Sequence, residues 1–280
     1  MRIVDCFPYN GESIALFRLA YLWNVVDEFV IVEAGETHTG QKKDELFLDR
    51  YAPRLEPFAS KITRLVIDRF PIPTAAELAP LTNPRNTNPS AWFREKYQRN
   101  FAADYLRSRS EPWILLGCDV DEIPRRETVL TLPGCYDALT VGYRLEMALF
   151  YYSSRWVKQA KWYHAFVAND RAVRQETLDG LRTGPSIKKA LRDAGWHLSY
   201  FMTNEEIQRK LQAFAHTELS TEESRKVEWI QQCRRTGRDL HHRGSHEDCA
   251  HYTGDDLPEG LRAFEALHGI ECGPEKGENR

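Results

Sequence analysis

Asp119, Asp121 and Glu122 follow the apolar run WILLGC and stand just before Pro124. Three carboxylates so close together repel one another, so open water, a basic neighbour or a bound cation has to compensate. Carboxylate oxygens are ligands of hard divalent cations such as Mg²⁺ and Mn²⁺, which keep several waters and complete their shell with substrate phosphates. In open α/β sheets ligands bind at the C-terminal edge of the strands. An Asp-x-Asp pair at such an edge therefore suggests recognition of a metal-bound diphosphate, although the same pattern also occurs as a solvated turn. Pro124 is expected to stop the ladder and turn the chain away.

The elements that would carry this cluster are legible as apolar runs. Residues 2–6 and 28–34 read as buried strands bracketing a helix over 12–24, a β-α-β opening that favours a parallel pair. A charged amphipathic helix over 43–57 leads to a third strand at 62–68. A proline-rich loop over 70–90 is long enough to suggest a functional role. A helix over 91–108 then precedes the strand that delivers the acidic cluster. In LTVGYRLEMAL, Leu139 to Leu149 alternate with period two, which puts Arg144 and Glu146 on the opposite face. GWHLSYF (195–201) reads as another strand. Thr203 and Glu206 form a capping box ahead of Ile207, Leu211 and Phe214 at helical spacing, and a last helix is expected over 222–235. The fold class expected is α/β, a single domain over 1–271 with a disordered tail at 272–280.

Composition narrows the function classes. A net charge of −3 argues against a general nucleic-acid binder. No apolar stretch approaches the ~20 residues that span a bilayer, and the first residues lack a signal-peptide core. The six cysteines form no CxxC pair and read as reduced thiols of a cytoplasmic protein. No glycine-rich dinucleotide fingerprint, P-loop or Gly-x-Ser-x-Gly elbow is present. His246, Glu247 and His251 miss the spacing of a zinc protease by one residue, so the two imidazoles would not share a helical face. With His241, His242, Cys233 and Cys249 nearby, another zinc geometry stays open beside the plain reading of a polar loop.

DCFPYNGE, LFRLAYLWNVVDEFVIVEAGETHTG, WFREKYQRN, LLGCDVDEIPR, AGWHLSYF and CRRTGRD occur in this order and span most of residues 5–240. Together they resemble glycosyltransferase family 17, the family of the enzyme that adds bisecting N-acetylglucosamine to N-glycans. The resemblance implies a GT-A-like fold with a Rossmann-type, mostly parallel central sheet flanked by helices. It also implies a UDP-sugar donor, most simply UDP-GlcNAc, transfer with inversion to a glycan or small-molecule acceptor, and Mn²⁺ or Mg²⁺ as cofactor. No membrane anchor or secretory address like that of the animal enzymes is expected here, which leaves the acceptor open.

On that resemblance Asp121 is expected to ligate the metal directly, Asp119 to share the metal or bind the donor ribose, and His197 to be a third ligand. Glu33, Thr37 and His38, after the second strand, are expected at the nucleoside, with Arg94, Gln98 and Arg99 of the following helix. Glu95 could instead pair with Arg99 as a plain bridge. Arg235, with Arg234 and Arg238, offers forked donors to phosphate. The general base is expected at Glu146 or Glu218, between which spacing does not choose. Two rivals stand beside this reading: a metal-dependent nucleotidyltransferase or phosphoesterase using the same carboxylates, and a non-catalytic glycan-binding protein.

Overall fold

The computed structural model describes residues 1–82 and 88–270. The fold is α/β, built on one twisted sheet with helices on its faces. Strands β1 (Arg2–Tyr9), β2 (Glu28–Ala34), β3 (Ile62–Ile67) and β4 (Trp113–Gly117) run parallel in the order β3-β2-β1-β4, with the parallel β1–β2 pair that a β-α-β opening favours. The sheet continues through antiparallel pairings. β4 pairs with β8 (Phe166–Asn169), which meets β6 (Tyr143–Tyr151); β6 pairs with β7 (Trp156–Trp162), and β7 with the short β10 (Ala250–His251). Off this path, β5 (Glu122–Pro124) pairs antiparallel with β9 (Ala190–Ser199), which itself runs parallel to β6.

Period-two alternation sorts the central strands between two cores. Phe29, Ile31, Ile114 and Leu116 face the Ile14–Leu22 helix, while Val30, Val32 and Leu115 face the helices that follow β3 and β8. A third cluster holds Tyr152, Tyr200, Ile207, Leu211 and Ile230, and seats the Asn204–Ala213 and Val227–Thr236 helices against the sheet edge. The capping box at Thr203 and Glu206 is present and starts the first of these two helices.

Several boundaries differ from the sequence expectation, each for a local reason. Leu139 and Val141 lie in a 3₁₀ stretch, Leu132–Val141, because Gly142 at φ +74° breaks the extended run before β6 begins. The helix expected over 43–57 is two short turns, Phe47–Arg50 and Ala52–Leu55, with Pro53 opening the second. The helix over 91–108 is Pro89–Asn100 followed by Ala103–Arg107. Pro124 is itself the last residue of β5, opposite Gly195, and the chain turns from it into the Arg126–Thr131 helix. The proline-rich loop is partly helical, at Ala75–Leu78, and its residues 83–87 lie outside the described residues, as does the tail at 272–280.

Candidate active site

β4 ends at Gly117, where the Phe166 ring packs so closely that an added Cβ would stand 2.2 Å from it. The chain then turns. The Glu122 N–H donates to the Asp119 carbonyl at 3.0 Å, and the Asp119 N–H donates to Glu122 Oε2 at 2.6 Å. Arg18, fully buried on the Ile14–Leu22 helix, donates Nη1 to the carbonyls of Asp119 at 3.1 Å, Val120 at 3.4 Å and Glu122. Its guanidinium is fixed from behind by Asp5, with contacts of 2.7 and 2.6 Å. The backbone of the acidic turn therefore hangs on one buried ion pair. Sequence reading passed over Arg18, although a single arginine inside the apolar run LFRLAYL was a signal that it must find a buried partner.

Basic side chains compensate the three carboxylates, and Arg182 is shared between Asp119 and Glu122. Asp119 accepts from Arg99 Nη1 at 2.7 Å and from Arg182 Nη2. Glu122, fully buried, accepts from Arg182 at 2.9 and 2.8 Å and from the Trp162 indole. Asp121 accepts from Lys210 Nζ at 2.9 Å and lies 3.4 Å from His197 Nε2. Burial works to raise both aspartates, but Arg182 and Arg99 outweigh it at Asp119, and Lys210 and His197 at Asp121, so both carboxyls sit well below the usual range. Of the three residues expected to share a metal, Asp121 and His197 come together, placed by the pairing of β5 with β9, while Asp119 is turned to two arginines. Among the described residues, no group of three His, Cys, Asp or Glu side chains is placed to hold a metal ion. That includes His246, Glu247 and His251; Glu247 pairs with Lys158 and Arg243.

These groups open on a cleft of about 340 Å³ over the C-terminal ends of β1 and β4, walled on the far side by the Asn204–Ala213 helix and the segment after it. A second cavity of about 210 Å³ adjoins it and shares Asn10, Glu12 and Lys210. His38 lines the main cleft and shares a 2.7 Å hydrogen bond with Gln98 Oε1, and Gln98 Nε2 donates to the Val32 carbonyl at 2.8 Å. Burial lowers the His38 imidazole, favouring its neutral form. Thr37 lines the smaller cavity. Arg94 donates to the His38 carbonyl at 2.9 Å and so fixes the loop rather than lining either cavity.

Two expected donor contacts are placed elsewhere. Glu33 is fully buried and accepts from Lys43 Nζ at 3.0 Å and from the Phe47 and Leu48 N–H groups at 2.8 Å, so it anchors the loop after β2. Arg235 is exposed on its helix and lines neither cavity; its neighbour Arg234 turns inward to Asn204 at 2.6 Å. The Glu95–Arg99 bridge is present at 3.2 Å.

The two base candidates are also separated. Glu146 accepts from the Tyr163 hydroxyl at 2.8 Å and lines neither cavity. Glu218 Oε1 lies 2.9 Å from His216 Nδ1, and the His216 imidazole faces the cleft, its ring edge-on to Trp92 at 4.3 Å. Glu12, which sequence reading did not single out, lines both cavities, and burial raises its carboxyl above the ordinary value. A raised carboxyl in a cleft is suited to proton transfer.

His241 supports the cleft wall. Its Nε2 lies 2.9 Å from the Tyr200 hydroxyl and its Nδ1 3.1 Å from the Leu219 carbonyl. Burial pushes the imidazole down to about 4, against the pull of the Leu219 hydrogen bond. A histidine held neutral in the fold is protonated first in the unfolded chain, so stability is full above the unfolded pKa near 6.5 and falls as pH drops towards 4. Wild-type protein is expected to lose up to about 3 kcal/mol over that window, at 1.36 kcal/mol per pKa unit, and His241→Gln to lose much less. Urea midpoints at pH 7.5, 6, 5 and 4 check this; parallel curves would refute it.

Residues 1–247 match the family model described as glycosyltransferase family 17. No curated protein matches the chain. Among solved structures, the galactosyltransferase LgtC in complex with donor and acceptor sugar analogs aligns at 12% identity and TM-score 0.34, covering 98% of each chain. Mannose-6-phosphate isomerase from Helicobacter pylori aligns at 12% identity and TM-score 0.31, covering 62% of this chain and 72% of that one. Mannose-1-phosphate geranyltransferase from Thermus thermophilus gives 13% identity and TM-score 0.29, with 75% and 79% covered. Similarity this low carries no weight for the site.

Proposed function

The chain belongs to glycosyltransferase family 17, and on that premise we propose that the cleft transfers a sugar, GlcNAc in the simplest case, from a UDP-sugar to a hydroxyl acceptor with inversion and with help from Mn²⁺ or Mg²⁺. The observation that carries this reading is the convergence of Asp121 and His197 at the C-terminal edge of the sheet, beside Asp119 and open to a cleft that adjoins a second cavity. A carboxylate and an imidazole 3.4 Å apart fit a divalent cation that draws its remaining ligands from water and diphosphate oxygens, rather than a resident ion in a protein cage. Bound there, such an ion supplies positive charge where the leaving diphosphate accumulates negative charge.

The chain's own residues supply the rest. Asp119, clamped by Arg99 and Arg182, offers a fixed edge at the cleft floor for the donor ribose. His38 and Gln98 form a hydrogen-bonded pair suited to the nucleoside. The acceptor proton passes to Glu12, which lines the cleft, or to His216, which faces it and is positioned by Glu218. The transition state has oxocarbenium character, as in glycoside hydrolysis.

A thermal-shift screen of nucleotide sugars with and without Mn²⁺ tests the donor class. A rise in melting temperature confined to a UDP-sugar plus metal is expected, because selective binding to the folded chain raises its apparent stability. Product analysis then separates the rivals. Free UDP indicates glycosyl transfer, whereas pyrophosphate or inorganic phosphate would convict the nucleotidyltransferase or phosphoesterase reading. Sugar binding indifferent to nucleotide and metal would leave a glycan-binding protein.

A further inference from the structure

We propose that Lys210 is an exchangeable cation of the cleft: paired with Asp121 before the donor arrives, and passed to a diphosphate oxygen once a divalent ion occupies that carboxylate. The inference rests on the metal-dependent reading of the cleft given above.

The charge balance of the lining motivates it. Among the described residues, the main cleft is lined by Glu12, Glu95, Asp119 and Asp121 against Arg99, Lys210 and Arg243. A diphosphate entering a lining that already leans acidic needs added positive charge, or a positive charge released from a carboxylate. The arginines cannot be released cheaply. Arg99 is spread over Asp119 and Glu95, and Arg243 donates to both oxygens of Asp239, with one contact at 2.6 Å. Planar forks bound at two points hold their place.

Lys210 is built differently. Its ammonium is a point charge on a flexible four-carbon stem, 2.9 Å from Asp121 Oδ2 and 5.5 Å from the Tyr200 ring centre. Asp121 takes one of its three donors. The side chain is 20% exposed, the highest value of any cation paired to the acidic turn, against 7% for Arg99, 6% for Arg182 and 0% for Arg18. It also borders both cavities, so its stem can swing through open space and not through packed protein. Rotation away from Asp121 frees the oxygen opposite the one that faces His197. The ammonium and the divalent ion thus compete for one carboxylate when the donor is absent, and cooperate on the diphosphate when it is present.

Lys210→Met and Lys210→Arg test this with two binding readouts. Free Mn²⁺ is followed by its electron paramagnetic resonance signal, and UDP by calorimetry at saturating Mn²⁺. The methionine variant is expected to bind Mn²⁺ alone about tenfold more tightly than wild type and UDP–Mn²⁺ about tenfold more weakly, since close charge pairs couple by at least that factor. The arginine variant, which keeps the charge, should retain wild-type Mn²⁺ affinity. Unchanged Mn²⁺ affinity in Lys210→Met, or a parallel loss of both ligands with a lowered melting temperature, would overturn the exchange and leave Lys210 a structural counter-ion. Wild-type UDP binding that is equal with and without Mn²⁺ would instead overturn the metal-dependent reading itself, and the exchange with it.

Discussion

Arg18→Met is expected to lower folding stability by about 3–5 kcal/mol, the cost of breaking a buried ion pair by removing one partner. The substitution removes the guanidinium, whose carbon lies 4.9 Å from the Phe7 ring centre, and leaves the fully buried Asp5 carboxyl without its partner. It also strips a donor from the carbonyls of Asp119, Val120 and Glu122. Of these acceptors the Asp119 carbonyl keeps the Glu122 N–H; an unsatisfied one costs roughly 1–3 kcal/mol, within the about 3–5 kcal/mol expected for the whole substitution. Urea unfolding measures the total. The double variant Asp5→Leu/Arg18→Met should recover part of the loss, because it removes the orphaned charge but not the orphaned carbonyls. A single variant within about 1 kcal/mol of wild type would mean that the acidic turn is held by its own local hydrogen bonds.

The second large effect is functional. Asp121→Asn is expected to reduce sugar transfer about a thousandfold, on the scale seen when one transition-state electrostatic contact is removed. The amide has nearly the same volume, so the cleft should keep its shape. What goes is the negative charge that would attract a divalent cation, while Lys210 keeps Glu12 as a neighbouring countercharge. Initial rates at saturating UDP-sugar and Mn²⁺ decide it; activity within tenfold of wild type would remove Asp121 from the chemistry. The same variant carries a pH signature. Because Asp121 is depressed in the fold, the unfolded chain takes up the proton first as pH falls. Its stabilising contribution is therefore complete above the unfolded value near 3.9 and disappears as pH falls through that value towards the folded one. Wild type should lose stability below about pH 4 more steeply than Asp121→Asn.

The central strands were readable because each is a short apolar run whose burial follows from composition alone. β1, β2, β3 and β4 fall where RIVDC, EFVIVEA, ITRLVID and WILLGC place them. The position of the acidic cluster at a strand end was readable for the same reason. The capping box at Thr203 and Glu206 was readable because its partners are three residues apart. Alternation misled at Leu139 and Val141, where a positive-φ glycine ended the extended run. Strand β8 was missed: FVAN is four residues long and fully buried, too short to show a period.

Type and spacing alone determined that this chain would build an α/β sheet with a parallel run of strands, β1 to β4, and present carboxylates at their C-terminal edge. Which charges meet those carboxylates was decided only by the folded chain. Arg99, Arg182 and Lys210 lie 20, 63 and 89 residues from the aspartates they pair with. Strand runs and caps are set by neighbours a few residues apart, whose geometry the backbone fixes. Ion pairs across a cleft form where packing brings helices from distant parts of the chain to one sheet edge, and linear spacing does not encode that approach.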